Sequence, residues 1–196
     1  GPEDPPRLIN GVSRLEVTPV EKFPPSPRTL VTSYPDLPME KVFARVPKTD
    51  IAQVFPREVG AGRVVYFPWD IDRTFWEILD VDHVRLLRLV VAWATNEPAP
   101  VTVTGQGVLD VTVWQQRGSI TVHLVNLTNP MMMKGPIREL IAIGEQRVRA
   151  RLPAGVRAQA VRLLVAGTTP VSRQADEWLE VTVPSITAHE VVAIDT

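Results

Sequence analysis

From residue 101 onward the chain alternates. "VTVTGQGVLDVTVWQQRGSITVHLVNLT" sets apolar side chains at every second position in two runs, with "QQRGS" (115–119) between them. A period of two sends successive side chains to opposite faces of an extended backbone, so these runs read as half-buried strands joined by a hairpin turn. The same spacing continues through "QRVRARLP" (146–153), "AQAVRLLVAG" (158–167), "EWLEVTVP" (177–184) and "TAHEVVAID" (187–195). About seven or eight short antiparallel strands predict a β-sandwich over residues 98–196, long enough for its own core. "NPMMMKGP" (129–136) interrupts the pattern, and its methionines Met131, Met132 and Met133 suit a contact with another domain or subunit.

Residues 1–97 have a different texture. Eleven of the nineteen prolines lie in the first 58 residues, in clusters such as "DPPR", "FPPSPR" and "YPDLP" that favour extended or turn backbone. Such an opening either wraps another body or is the tail of a domain whose first half lies elsewhere. "GAGRVVYFP" (60–68) reads as a glycine turn and a short apolar strand, Val64 to Phe67, of the kind covered on both faces in a parallel sheet. After an irregular loop, "DVDHVRLLRLVVAWAT" (80–95) predicts a helix with Asp80 or Asp82 as cap and Val84, Leu87, Val91 and Ala94 along its apolar stripe. Strand, loop and helix make one βα unit, and one unit cannot bury both its faces alone. "NEPAP" (96–100) reads as the linker.

Several function classes are disfavoured. A net charge of −1 gives no electrostatic pull toward nucleic acid or an anionic membrane. No apolar run reaches the roughly 18 residues of a membrane span. "GPEDPPRLING" lacks the basic and apolar regions of a signal peptide, and no compartment is fixed by the sequence. Cysteine is absent, which removes disulfides and thiolate chemistry, and the three histidines, His83, His123 and His189, are far apart in sequence. No metal site, cofactor or catalytic residue is expected within these residues.

The densest cluster of candidate chemistry is "VVYFPWDIDRTFWEIL" (64–79). Asp70 and Asp72 follow a strand end, where open α/β sheets place ligands. As a glycosidase pair they would need a controlled separation, which a spacing of two in a loop does not provide. The alternative is that Asp72 pairs with Arg73 or caps backbone N–H groups while Trp69, Phe75 and Trp76 pack under neighbouring loops. The candidate substrate-binding residues are therefore Trp69, Asp70, Asp72, Arg73 and Trp76. Glu40 and Glu58 read as solvated or capping residues, His83 as a surface or capping residue, and His123 and His189 as solvent-facing strand positions. Trp114 and Trp178 suit the sandwich core or its edge. Strand parity also allows both to face solvent, as a lectin-like platform requires. The arginines at 147–162 suit a solvated face.

"YPDLPMEKVFAR", "GAGRVVYFPWDIDRTFWEILDVDHVRLLRLVVAWA" and "VPSITAHEVVAID" together resemble the C-terminal part of bacterial β-galactosidase-like glycoside hydrolases. The resemblance implies a catalytic TIM barrel outside this chain. Residues 1–97 would then be the second half of a flavodoxin-like domain related to class I glutamine amidotransferases (the trimerisation domain of β-galactosidases), followed by the small sandwich. Active amidotransferases carry a cysteine and a pattern like "FHPE", whereas this chain reads "FPWD" at Phe67–Asp70 and holds no cysteine. The expected fold is thus mixed: a partial flavodoxin-like α/β segment followed by an antiparallel β-sandwich. The expected function is a non-catalytic portion of a glycoside hydrolase. Its partners would be the barrel and further copies of itself, with Trp69 and Trp76 near the pocket entrance in contact with carbohydrate. A stand-alone carbohydrate-binding sandwich is the alternative, and a complete small enzyme the third reading.

Overall fold

The computed structural model describes residues 8, 11, 13–20, 23, 25–31, 49–128 and 139–196. The segment "YPDLPMEKVFAR" with Glu40, and the methionine run 131–133, lie outside the described residues. The chain divides into two compact units, residues 1–98 and 99–196.

In the first unit, β1 (Phe55–Val59) and β2 (Gly62–Tyr66) form an antiparallel hairpin that pairs Phe55 with Tyr66 and Val59 with Gly62. Gly60 turns the chain at φ +59°, a conformation that L side chains rarely adopt. The hairpin corrects the expectation of a strand covered on both faces, because Val64 and Tyr66 are exposed and no parallel pair occurs among the described residues. "FPREV" and "GRVVY" flank a glycine-bearing turn, so each strand finds its partner across two residues of loop.

The stretch expected to be an irregular loop is helical. Helix α1 (Ile71–Ile78) buries Ile71 and Thr74, and Leu79 ends it in the left-handed conformation, donating its N–H to the Phe75 carbonyl. Asp80 then starts α2 (Val81–Thr95), its side chain accepting the Asp82 N–H at 2.9 Å. Of the two expected caps, Asp80 and Asp82, Asp80 is the one used, and the stripe is rotated. His83 and Leu86 are the buried positions of α2, with Leu87 and Val90 partly buried, while Val91 is exposed. Trp69, Ile71 and Leu86 form this unit's small core, with Leu8 and Phe67 against it.

The second unit is the expected antiparallel sandwich. One sheet has the order β4 (Leu109–Gln116), β5 (Ser119–Asn126), β10 (His189–Asp195), β7 (Ala160–Leu163). The other runs β3 (Val101–Gly105), β6 (Gln146–Arg151), β9 (Trp178–Val183), β8 (Ser172–Ala175). The period of two does the sorting: Ile120, Val122, Leu124, Val192 and Ile194 point inward from the first sheet, and Val148, Ala150, Leu179, Val181 and Val183 from the second. β8, "SRQA", is polar and short, so alternation of hydrophobicity does not mark it.

Polar side chains, two of them buried, tie the ends of the sandwich. Gln146 is buried opposite Gly105, and its amide donates to the carbonyls of Gln106 (2.9 Å) and Gly144 (3.2 Å). Asn126 ties three loop carbonyls, those of Ile141, Thr187 and Ile186, and accepts the Thr128 N–H. Glu190, also buried, accepts the N–H groups of Val165 and Ala166 in the turn after β7. Charge-assisted bonds of this kind offset the cost of taking a carboxylate out of water.

Candidate functional site

The residues of the 64–79 cluster occupy two different environments. Trp69 is 8% exposed. Its ring meets Phe67 edge-on at 5.8 Å and lies 6.2 Å from the His83 ring, and its indole N–H donates to the Gln53 carbonyl at 3.0 Å. An indole held this way is a core side chain, so the sugar-stacking face expected of it is not presented. Trp76, by contrast, is 65% exposed on α1.

The two aspartates also differ. Asp70 accepts the hydroxyl of Ser13 at 3.0 Å and its N–H at 3.3 Å. The strand bridge between Arg14 and Trp69 and the Leu15 N–H bond to the Pro68 carbonyl run alongside. Gly11 passes so close that a Cβ there would collide with the Asp70 carboxylate. Asp70 is therefore the anchor of the extended arm on the start of α1. Asp72 is exposed in the first turn of α1, where a carboxylate is favoured by the helix dipole. Arg73 pairs with Glu77 at 2.9 Å one turn on, not with Asp72. The structure thus groups Asp72, Arg73 and Trp76 on the exposed face of α1, buries Trp69 and ties Asp70 to the arm.

Partial desolvation pushes the Asp70 pKa up, but the hydroxyl and N–H of Ser13 and the charge of Arg73 outweigh it, so the carboxyl titrates below its ordinary 3.8. A depressed folded-state pKa means that the tether contributes above the unfolded value and is lost as pH falls through the folded one. The Ser13 amide resonance is expected to shift with a midpoint below 3.8, and Asp70→Asn is expected to abolish that transition. A midpoint at or above 3.8 would show that the tether does not form in solution.

Beside this cluster the arm and the hairpin enclose an apolar groove of about 750 Å³. Phe23, Phe55, Val64, Tyr66 and Trp93 line it, with Arg57 and Glu58 at the same wall. Phe23 stands edge-on to Phe55 at 5.2 Å, and Arg63 lies over the Trp93 ring at 5.2 Å while donating to the Trp93 carbonyl. Sequence reasoning did not single out this groove, because its walls come from segments far apart in the chain. The "FPREV–GAG–RVVY" hairpin was the available signal. Glu58 is exposed and pairs with Arg63 at 3.3 Å, in line with a solvated role. His83 is buried, against the expected surface position, since the turn between α1 and α2 rolls it under Trp69.

On the sandwich, Trp114 is 59% exposed on the outer face, opposite Thr121 and next to the row holding His123. Trp178 is half-buried, and its ring is covered by the Arg149 guanidinium at 3.9 Å, a cation–π contact. Arg147, Arg149 and Arg151 all face outward, on the solvated face that their spacing suggested, and there pair with Glu145, Glu180 and Glu177. Among the described residues no cluster of three histidine, cysteine, aspartate or glutamate side chains could hold a metal ion, and no helix is long and apolar enough to cross a membrane.

No protein-family model matches the chain, and no curated protein matches it. Among solved structures it is similar to α-L-fucosidase isoenzyme 2 from Paenibacillus thiaminolyticus, with a TM-score of 0.59 and 16% sequence identity. The match covers 76% of this chain and 23% of that one, so the chain spans under a quarter of the fucosidase's length. At this identity the likeness is one of fold.

Proposed function

We propose that the chain is a non-catalytic accessory portion of a glycoside hydrolase of the β-galactosidase-like type. Residues 1–97 would form part of an amidotransferase-like layer and the sandwich its companion. The fold likeness to a fraction of a fucosidase carries this reading. The engagement of Asp70 with Ser13 and of Arg73 with Glu77 supports it, since neither side chain is left as a poised acid or base. The exposed Asp72 and Trp76 would then meet the catalytic barrel or the rim of its pocket, with Trp76, the most exposed aromatic of the cluster, offering a face to a sugar ring.

A second reading, the stand-alone carbohydrate-binding sandwich, is favoured by the exposure of Trp114 on a flat sheet face. One set of measurements separates them. Recovered from its own cells, the sequence is expected within a longer polypeptide or complex that hydrolyses glycosides, and the 196 residues alone are expected to release no nitrophenol from aryl glycosides. A free protein retained on immobilised glycans, with retention lost in Trp114→Ala, would replace the first reading by the second. Turnover by the 196 residues that disappears in Asp72→Asn would overturn both.

A further inference from the structure

The outer edge of β4 is open among the described residues. β4 is an eight-residue edge strand, "LDVTVWQQ", and no strand lies on its open side among the described residues. Natural sheets blunt such edges with charge, proline, bulges or shortness. β4 is regular, lacks proline, and carries a single charge, Asp110.

Its side chains are arranged as if the sheet continued. Val111 and Val113 stand opposite Leu124 and Val122, so they belong to the inward face of the sandwich. Yet they are 38% and 42% exposed, while Leu109 on the same face does pack against the core. The apolar face therefore runs past the area that the opposing sheet covers.

The backbone shows which groups are unpaired. Leu127 donates its N–H to the Val108 carbonyl at 2.8 Å, and Asn126, opposite Leu109, turns its N–H toward Ala188. Antiparallel ladders alternate, so Asp110, Thr112 and Trp114 address β5, whereas Leu109, Val111, Val113 and Gln115 direct their N–H and C=O groups to the open side.

From this geometry we infer that β4 is an interface between two copies of this chain, paired antiparallel about a two-fold axis through Thr112. That register sets Val111 of one copy against Val113 of the other and Leu109 against Gln115. These are the residues whose backbone groups point outward, and the four inward-facing side chains become neighbours across the new ladder. On the outer face Asp110 meets Trp114 and Thr112 meets its own copy, so no like charges face one another. A two-fold pair must be complementary to itself. The edges of β7 and β8 are four residues long and each carries an arginine, Arg162 and Arg173, and β3 has five residues, so β4 is the longest open edge of the sandwich among the described residues. The inference is independent of the accessory role proposed above.

Sedimentation equilibrium of the full chain tests it. Between about 1 and 100 µM the chain is expected to show twice its 21.8 kDa mass. Val113→Pro removes an outward N–H without taking a bond from the β4–β5 ladder, and it is expected to weaken association at least about tenfold with unchanged circular dichroism. Should that variant misfold, the double substitution Val111→Lys with Val113→Lys sets ammonium groups against each other across the axis and is expected to give a monomer. A monomeric wild type at the top concentration would overturn the inference and mean that this edge is covered within the chain or left open. A dimer that survives the lysine pair would overturn it equally.

Discussion

Trp69→Ala is expected to lower the stability of the first unit by about 3–5 kcal/mol, the usual range for truncating a buried aromatic. Three losses combine: the ring contacts with Phe67 and His83, the bond from the indole N–H to the Gln53 carbonyl, and a cavity in a small core. Trp76→Ala, seven residues along the same motif, is expected to change stability by less than about 0.5 kcal/mol, because its side chain lies mostly in solvent. Calorimetry of both variants in the full chain reads the difference directly. If Trp69→Ala melts like the parent, the indole is not the centre of this core, and its assignment as a ligand-facing residue must be reopened.

In the sandwich, Gly105→Ala is expected to cost about 2–4 kcal/mol. A Cβ at this position would overlap the side-chain amide of Gln146, which is buried and bonded to two carbonyls. The amide must move, and its acceptors would be left without their donor. Removing the obstruction in the same molecule is the control. Gln146→Ala is expected to be destabilising by itself, yet adding Gly105→Ala to it is expected to cost less than about 1 kcal/mol. A double-mutant cycle showing simple additivity would mean that strand conformation, not the amide, requires glycine here.

The legible parts of this molecule were those in which one residue type imposes one geometry. Alternation from Val101 to Asp195 placed all the apolar strands, because a one-residue slip would turn Val122 and Leu124 to solvent. A cap at Asp80 or Asp82 was readable because a short carboxylate before an apolar run has few better uses, and the structure selects Asp80. The same local rules were silent on α1. Its eight residues mix aromatics, charges and β-branched side chains, and its burial depends on an arm some sixty residues away in sequence, held through Ser13 and Asp70. The stripe of α2 was misplaced by about one position for a related reason: valines drew the pattern toward Val84 and Val91, while packing under Trp69 chose His83. The candidate site divided along the same line. Sequence put five residues together, and tertiary contacts buried Trp69, tied Asp70 to Ser13 and left Asp72, Arg73 and Trp76 exposed on α1.

One topological detail bears on how the sandwich comes into being. β10 is the last strand in chain order among the described residues, but it sits in the interior of its sheet, between β5 and β7. Until β10 docks, those two strands have no shared neighbour, and Ile120, Val122 and Leu124 of β5 lack their partners on β10. Pairing β10 with both β5 and β7 joins segments far apart in sequence, a topology that is expected to slow folding of the sandwich.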